Sequence, residues 1–298
     1  MARIRAEQRV QAWIHANGNI PHGQVEMPSP EQEADVPARY SYGADPNQYA
    51  ELYLPRQRKY AGVAVVIHGG YWRSRYTAQL GAPLSEDLAA HGVAAWNLEY
   101  RRAGDGGGWP ETFEDVSAGI DALAAAAAEH SLDLSAVVAL GHSAGGQLAV
   151  WAAGRDAMPP GAPGFYGRRG AGGPAAVPLT AVVSQAGVLD LRQAMALGLS
   201  DGAVQNFIRR SPESDPERYR LADPLQQVPL RVPVYAVYGA ADTEVPAAQS
   251  RAYVAAARAA GAVAELIRVS GDHFDLIDIH REAYAACRAL VLDALPVI

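Results

Sequence analysis

Residues 137–140, Val-Val-Ala-Leu, form an apolar run as long as one buried strand, and the run ends in Gly141-His142-Ser143-Ala144-Gly145. Helix-compatible residues follow at once, Gln147-Leu148-Ala149-Val150-Trp151-Ala152-Ala153. In a chain with 29 glycines, Gly-x-Ser-x-Gly alone says little. Between a strand and a helix it describes a tight turn that lifts the serine hydroxyl above a sheet. Such a turn is strained, and a Cβ at either glycine would collide with the neighbouring strand or helix.

The pattern on either side of this turn fixes the fold class. Apolar runs at 63–68, 93–98, 136–140, 179–184, 232–238 and 264–269 read as strands covered on both faces, as in a parallel sheet. Helical stretches lie between them at 78–91, 112–130, 145–155, 247–260 and 280–295. This alternation predicts an α/β protein with an open, doubly wound sheet. Residues 40–42 and 48–54 predict two antiparallel strands joined by the turn Gly43-Ala44-Asp45-Pro46-Asn47. Residues 1–37 read as an N-terminal arm with a helix near 4–16. Residues 154–178 form a Gly/Pro-rich loop, and 189–225 a cap-like helical excursion over the strand ends, all within a single domain spanning 1–298.

Composition narrows the function. The 298 residues are 49% apolar with a formal charge of −7, and no basic cluster is denser than Arg168-Arg169 or Arg3/Arg5/Arg9. Nucleic acid therefore has no electrostatic footprint to bind. No apolar run of membrane-spanning length occurs, and the first residues lack the apolar core of a secretory signal, so membrane is excluded as a partner and a cytoplasmic location is expected. Cys287 is the only cysteine, which rules out an intramolecular disulfide or a cysteine metal cluster, and it reads as a small core side chain. The expected partner is a small-molecule substrate, with a homodimer left open. No cofactor and no metal are called for.

A serine becomes a nucleophile only when a base takes its proton and an acid holds that base in one tautomer. The strand at 232–238 ends in Gly239-Ala240-Ala241-Asp242, and the strand at 264–269 ends in Ser270-Gly271-Asp272-His273. Three strands thus deliver Ser143, Asp242 and His273 to one rim, in the order serine, acid, histidine. Glu244 is an alternative acid. Asp272 and Asp275 lie too close to His273 in sequence to orient its ring. His280, His15, His22, His91 and His130 sit away from strand ends and read as surface or packing residues.

Acyl chemistry also needs backbone N–H donors for an oxyanion. Ala144, opening the helix after Ser143, is one candidate. The loop after the strand at 63–68, His68-Gly69-Gly70-Tyr71-Trp72-Arg73, offers Gly69 and Gly70, while a plain flexible turn is the alternative reading. His68 is expected to brace this loop by hydrogen bonding. Tyr71 and Trp72 offer flat apolar surface beside the reacting carbonyl, though Trp72 reads equally well as buried under the loop. Phe207, from the helical excursion, and His142, inside the turn, complete the candidate substrate-binding set. The His142 side chain is expected to point away from the substrate and to pack or hydrogen-bond structurally.

Together His-Gly-Gly-Tyr-Trp at 68–72, Gly-His-Ser-Ala-Gly-Gly at 141–146, Asp242 and His273 resemble the α/β-hydrolase superfamily, in its esterase and kynurenine-formamidase-like branch. Asn97-Leu98-Glu99-Tyr100-Arg101 and Ser184-Gln185-Ala186-Gly187-Val188-Leu189-Asp190-Leu191 extend the resemblance over about residues 40–295. It implies a mostly parallel eight-stranded sheet and a serine hydrolase that cleaves a small carboxylic ester or an aryl formamide through an acyl-enzyme. The competing expectations are a non-hydrolytic use of the triad, in a lyase or cyclisation step, and an idle binding protein on the same scaffold.

Overall fold

The computed structural model describes residues 37–165 and 176–298. The predicted helix near 4–16 and the centre of the Gly/Pro-rich loop lie outside the described residues. Eight strands form one sheet: β1 Ala38–Ser41, β2 Tyr49–Tyr53, β3 Val63–Ile67, β4 Ala94–Leu98, β5 Val137–His142, β6 Ala181–Gln185, β7 Val234–Gly239 and β8 Ala264–Val269. Their order across the sheet is β1-β2-β4-β3-β5-β6-β7-β8. The first two pairings, β1 with β2 and β2 with β4, are antiparallel, and the others are parallel. This is the mostly parallel sheet of an α/β hydrolase.

The continuous apolar runs are explained by a core on each face. Along β3, Val63, Val65 and Ile67 face one cluster while Ala64 and Val66 face the other, and β5 divides Val137 and Ala139 from Val138 and Leu140 in the same way. Helices α1 (Ala82–Ala90) and α9 (Glu282–Asp293) cover the second face through Leu84, Leu88, Tyr284, Cys287 and Val291. The first face is covered by α2 (Glu111–Asp121), α3 (Leu123–His130), α4 (Ala144–Ala153) and α8 (Ala248–Ala259). Between β6 and β7 lie α5 (Leu191–Ala196), α6 (Leu199–Ile208) and α7 (Pro216–Ala222), the helical stretch expected there.

Three local features differ from the expectation. The stretch at 78–91 opens with a 3-10 turn, Ala78–Leu80, before α1 begins. The stretch at 112–130 divides at Ala122, where the Ala125 N–H bonds to the carbonyl only three residues back. Arg102–Ala103 and Gly106–Gly107 pair as two short strands outside the main sheet.

Register brings the loops together. Ile67 of β3 is paired with Gly141 of β5, His142 with Gln185 of β6, and Gly239 of β7 with Val269 of β8. The loops after β3, β5, β7 and β8 therefore leave from the same edge of the sheet. At that edge a Cβ on Gly145 would lie 2.0 Å from the Ile67 carbonyl oxygen, and one on Gly141 would lie 2.3 Å from that of Gly145. Backbone, not a flexible side chain, stands in the way at both places. Gly145→Ala is expected to lower stability by about 1–3 kcal/mol, read by urea denaturation. An unchanged midpoint would show that the helix can move off β3 without cost.

Candidate active site

The turn between β5 and α4 places Ser143 at φ 55°, ψ −116°, a conformation few non-glycine residues adopt. It is held from three sides. The Ser143 N–H donates to the Gln185 carbonyl at 2.8 Å, and the Ser143 carbonyl accepts from Gln147 N–H at 3.1 Å and Val188 N–H at 3.3 Å.

The loop after β8 brings His273 beside the turn. His273 Nδ1 lies 2.8 Å from Asp242 Oδ2, and both side chains are almost fully buried. The other Asp242 oxygen accepts from the N–H groups of Glu244 (2.8 Å) and Val245 (2.9 Å). Burial would raise the Asp242 pKa, but the His273 hydrogen bond and charge, with the two backbone donors, hold it below the usual carboxylate range. Glu244, the alternative acid, instead accepts the Tyr71 hydroxyl at 2.5 Å. Asp272 and Asp275 shape their own turn, with Asp272 Oδ1 accepting from Phe274 N–H and Asp275 Oδ2 from Asp272 N–H.

Ser143 and His273 line one cleft with Gly70, Tyr71, Tyr76, Leu80, His142, Phe274 and Ile277, enclosing ≈ 370 Å³ counted to its open mouth. Gly70, at φ 109°, is the glycine of the β3 loop that faces the cleft, and a Cβ there would fall 2.4 Å from Tyr76 Cβ. Gly69 packs behind it, against His142 and Ser143. Ala144 is the first residue of α4, so its N–H belongs to the turn that helix geometry leaves unpaired.

Of the expected substrate-binding residues, Tyr71 and His142 line the cleft, whereas Trp72 and Phe207 do not. Trp72 is 2% exposed and Phe207 is fully buried; their rings stack 4.5 Å apart at 3°, and Trp72 Nε1 donates to Gln147 Oε1 at 3.0 Å. The aromatic surface offered by Trp72 is satisfied by another ring of the protein. Tyr76, Leu80, Phe274 and Ile277 were missed. Phe274 and Ile277 could have been found from their position within four residues after His273. Tyr76 and Leu80 carry no signal beyond following the glycine loop.

His142 is neither turned away nor free. Its ring lines the cleft 4.5 Å from that of His273, and its Nε2 lies 3.0 Å from the His273 carbonyl oxygen. Burial, reinforced by His273, pushes its pKa down to about 3. A neutral ring must therefore donate from Nε2 to that carbonyl. Among the described residues no group of three or more His, Cys, Asp or Glu side chains could hold a metal ion, and no helix is long and apolar enough to cross a membrane.

His142 makes a prediction about stability. Unfolded, it takes up a proton below about pH 6.5; folded, it does not until about pH 3. Its contribution is complete above pH 6.5 and declines as pH falls, by about 1.4 kcal/mol per unit. Asp242 acts lower, since a depressed carboxylate keeps its contribution until pH falls below about 4. His142→Gln should therefore flatten the loss of stability between pH 6.5 and 4.5, measured by urea denaturation. Parallel wild-type and variant curves would refute the neutral, buried ring.

Known proteins share this arrangement's frame. Esterase LipC of Mycobacterium tuberculosis is 27% identical over 85% of this chain and 66% of its own length. Isoprenylcysteine α-carbonyl methylesterase ICME of Arabidopsis thaliana is 27% identical over 79% of this chain and 56% of its own. The chain thus spans a little over half to two thirds of these relatives. Esterase B from Lactobacillus rhamnosis superposes with a TM-score of 0.74 at 19% identity, covering 98% of this chain and 92% of that one. A carbohydrate esterase from gut microbiota, in truncated form, superposes with a TM-score of 0.70 at 21% identity, covering 88% and 98%. Residues 50–256 match the BD-FAE family model, and with the α/β-hydrolase sheet in place the chain belongs to the BD-FAE family.

Proposed function

We propose that this chain is a serine hydrolase that cleaves carboxylic esters with a small acyl group. The observation that carries the reading is the His273–Asp242 contact of 2.8 Å on a cleft that also contains Ser143. Because Asp242 accepts from Nδ1, the hydrogen of a neutral His273 ring sits there and Nε2 keeps its lone pair for the serine proton.

The steps follow from these groups. His273 removes the Ser143 proton as Oγ bonds to the ester carbonyl carbon. The N–H groups of Gly70 and Ala144, with Gly69 behind them, stabilise the oxyanion. His273 then gives the proton to the departing alcohol, leaving an acyl-enzyme. Water attacks that ester with His273 again as base, releasing the carboxylic acid and restoring Ser143.

Tyr76, Leu80, Phe274 and Ile277 give the cleft an apolar lining, which suits a short apolar acyl group. The esterase names of the relatives favour an oxygen leaving group. An aryl formamide would use the same groups with nitrogen leaving, so it forms the second arm of the test.

Purified protein should hydrolyse p-nitrophenyl acetate, and Ser143→Ala should lower kcat/KM by at least ~10³-fold. Acetyl to hexanoyl esters compared with N-formylkynurenine by kcat/KM then decide between ester and formamide. Equal rates for wild type and Ser143→Ala overturn the proposal. Labelling of Ser143 by a fluorophosphonate without turnover of any ester or formamide moves it to a non-hydrolytic reaction.

A further inference from the structure

One buried polar cluster beneath the cleft has no part in the steps above. Glu99, 1% exposed, follows β4 and gathers contacts from three segments. Its Oε2 accepts the Ala78 N–H at 2.8 Å; its Oε1 accepts the Tyr100 N–H at 2.9 Å, faces His68 Nε2 at 3.0 Å and lies 2.5 Å from the Arg102 guanidinium. His68, 2% exposed, is stacked flat on the Tyr100 ring at 4.4 Å and 9°, while the Tyr100 hydroxyl donates to the His68 carbonyl at 2.8 Å. The remaining ring nitrogen, His68 Nδ1, lies 2.8 Å from the Gly69 carbonyl oxygen.

Both nitrogens of the His68 ring therefore face acceptors, a carboxylate and a carbonyl. A neutral imidazole carries one N–H and would turn a lone pair toward one of these oxygens; an imidazolium satisfies both. The charges around it balance: His68 and Arg102 stand against Glu99 and Asp105, which lies 3.2 Å from Arg102. Burial opposes a charged Glu99, yet the neighbouring His68 and Arg102 and the Ala78 N–H hold its pKa below the ordinary value.

The consequence lies in the Gly69–Gly70 peptide. In a trans peptide the carbonyl and the following N–H point in opposite directions. Tying the Gly69 oxygen down to His68 Nδ1 leaves the Gly70 N–H directed away from His68, on the residue that lines the cleft. Gly70 has no Cβ and sits at a positive φ, so its backbone has more conformations open to it than another residue would, and a fixed Gly69 carbonyl narrows them.

We propose that Glu99 is a positioning residue for the reaction: it keeps His68 as a buried imidazolium, whose second N–H locks the Gly69–Gly70 peptide with the Gly70 N–H aimed into the cleft. The inference rests on the ester-hydrolase reading for its kinetic consequence but not for its protonation state.

Two measurements test it. In the protein labelled with ¹⁵N-histidine, one ring should remain protonated at both nitrogens at pH 8, and its signals should vanish in His68→Gln. In Glu99→Gln that ring should become neutral, and kcat for p-nitrophenyl acetate should fall about 10–100-fold while KM changes less than about threefold. An oxyanion donor acts in the transition state, and a misaimed one loses part of its effect. A purely structural role would leave the kcat–KM split and the histidine spectrum unmoved in the variant that stays folded. A neutral His68 in the wild type, or a folded Glu99→Gln with unchanged kcat, overturns the proposal. If Glu99→Gln does not fold, the wild-type spectrum together with kcat of His68→Gln decides. If the wild type turns over no ester at all, the esterase reading fails while the spectrum still reports on the clamp.

Discussion

The reversal of the chain at Ser143 is the constraint around which the rest of the site is built. A non-glycine residue at φ 55°, ψ −116° costs on the order of 1–3 kcal/mol, and the turn survives because its surroundings leave it no alternative. The end of β6 takes the Ser143 N–H, and Gln147 and Val188 take its carbonyl. Gly145 meets the carbonyls of Ile67 and His68 so closely that any side chain there would push α4 off the sheet. This contact has a second effect. By pressing the start of α4 against the end of β3, it sets Gly145 beside the carbonyls of Ile67 and His68, where the loop carrying Gly70 begins.

A second level of organisation is a buried amide. Gln147, fully buried on α4, accepts from Trp72 Nε1 at 3.0 Å and donates to the Ala222 carbonyl of α7 at 2.9 Å. Trp151, one turn further along α4, donates to the neighbouring Leu221 carbonyl at 2.8 Å. The glycine loop, the helix after the serine and the helices between β6 and β7 thus share one set of hydrogen bonds. Both ends of the Gln147 amide are used, so no orphaned buried dipole offsets the gain. Trp72 belongs to this frame, held by its N–H and its stack on Phe207 rather than by a ligand.

How much of this was legible in the sequence depends on whether the signal was local. The five inner core strands could be read because a short run apolar on both faces is what a strand covered from two sides requires. At the edge of the sheet β8 instead exposes Glu265 and Arg268, so the double covering expected for 264–269 is not found. The placement of Ser143, Asp242 and His273 at one edge of the sheet could be read because each follows an apolar run. The glycines of the turn announced a close approach, and the approach is there. What could not be read was the direction of aromatic side chains. Trp72 next to Gly70 looks the same in sequence whether it faces a ligand or Phe207, which lies 135 residues away in the chain. The cleft walls Tyr76 and Leu80 sit on a 3-10 turn and its approach, whose placement depends on Glu99 capturing the Ala78 N–H. The break at Ala122 lies within an alanine-rich helical stretch, where neither propensity nor periodicity marks a boundary.

Three histidines stand at this edge of the sheet, and what each touches, not its residue type, sets its proton. His68 faces two acceptors, the Glu99 carboxylate and the Gly69 carbonyl. His142 faces one carbonyl with Nε2 and, denied water, stays neutral at a pKa of about 3. His273 faces a carboxylate with Nδ1, which leaves Nε2 as the basic atom of this ring on the cleft. Through its Nε2 contact His142 holds the carbonyl of the His273 loop. The division of labour among these rings is therefore enforced by backbone carbonyls and two buried carboxylates, Glu99 and Asp242, each delivered by a strand end of the same sheet.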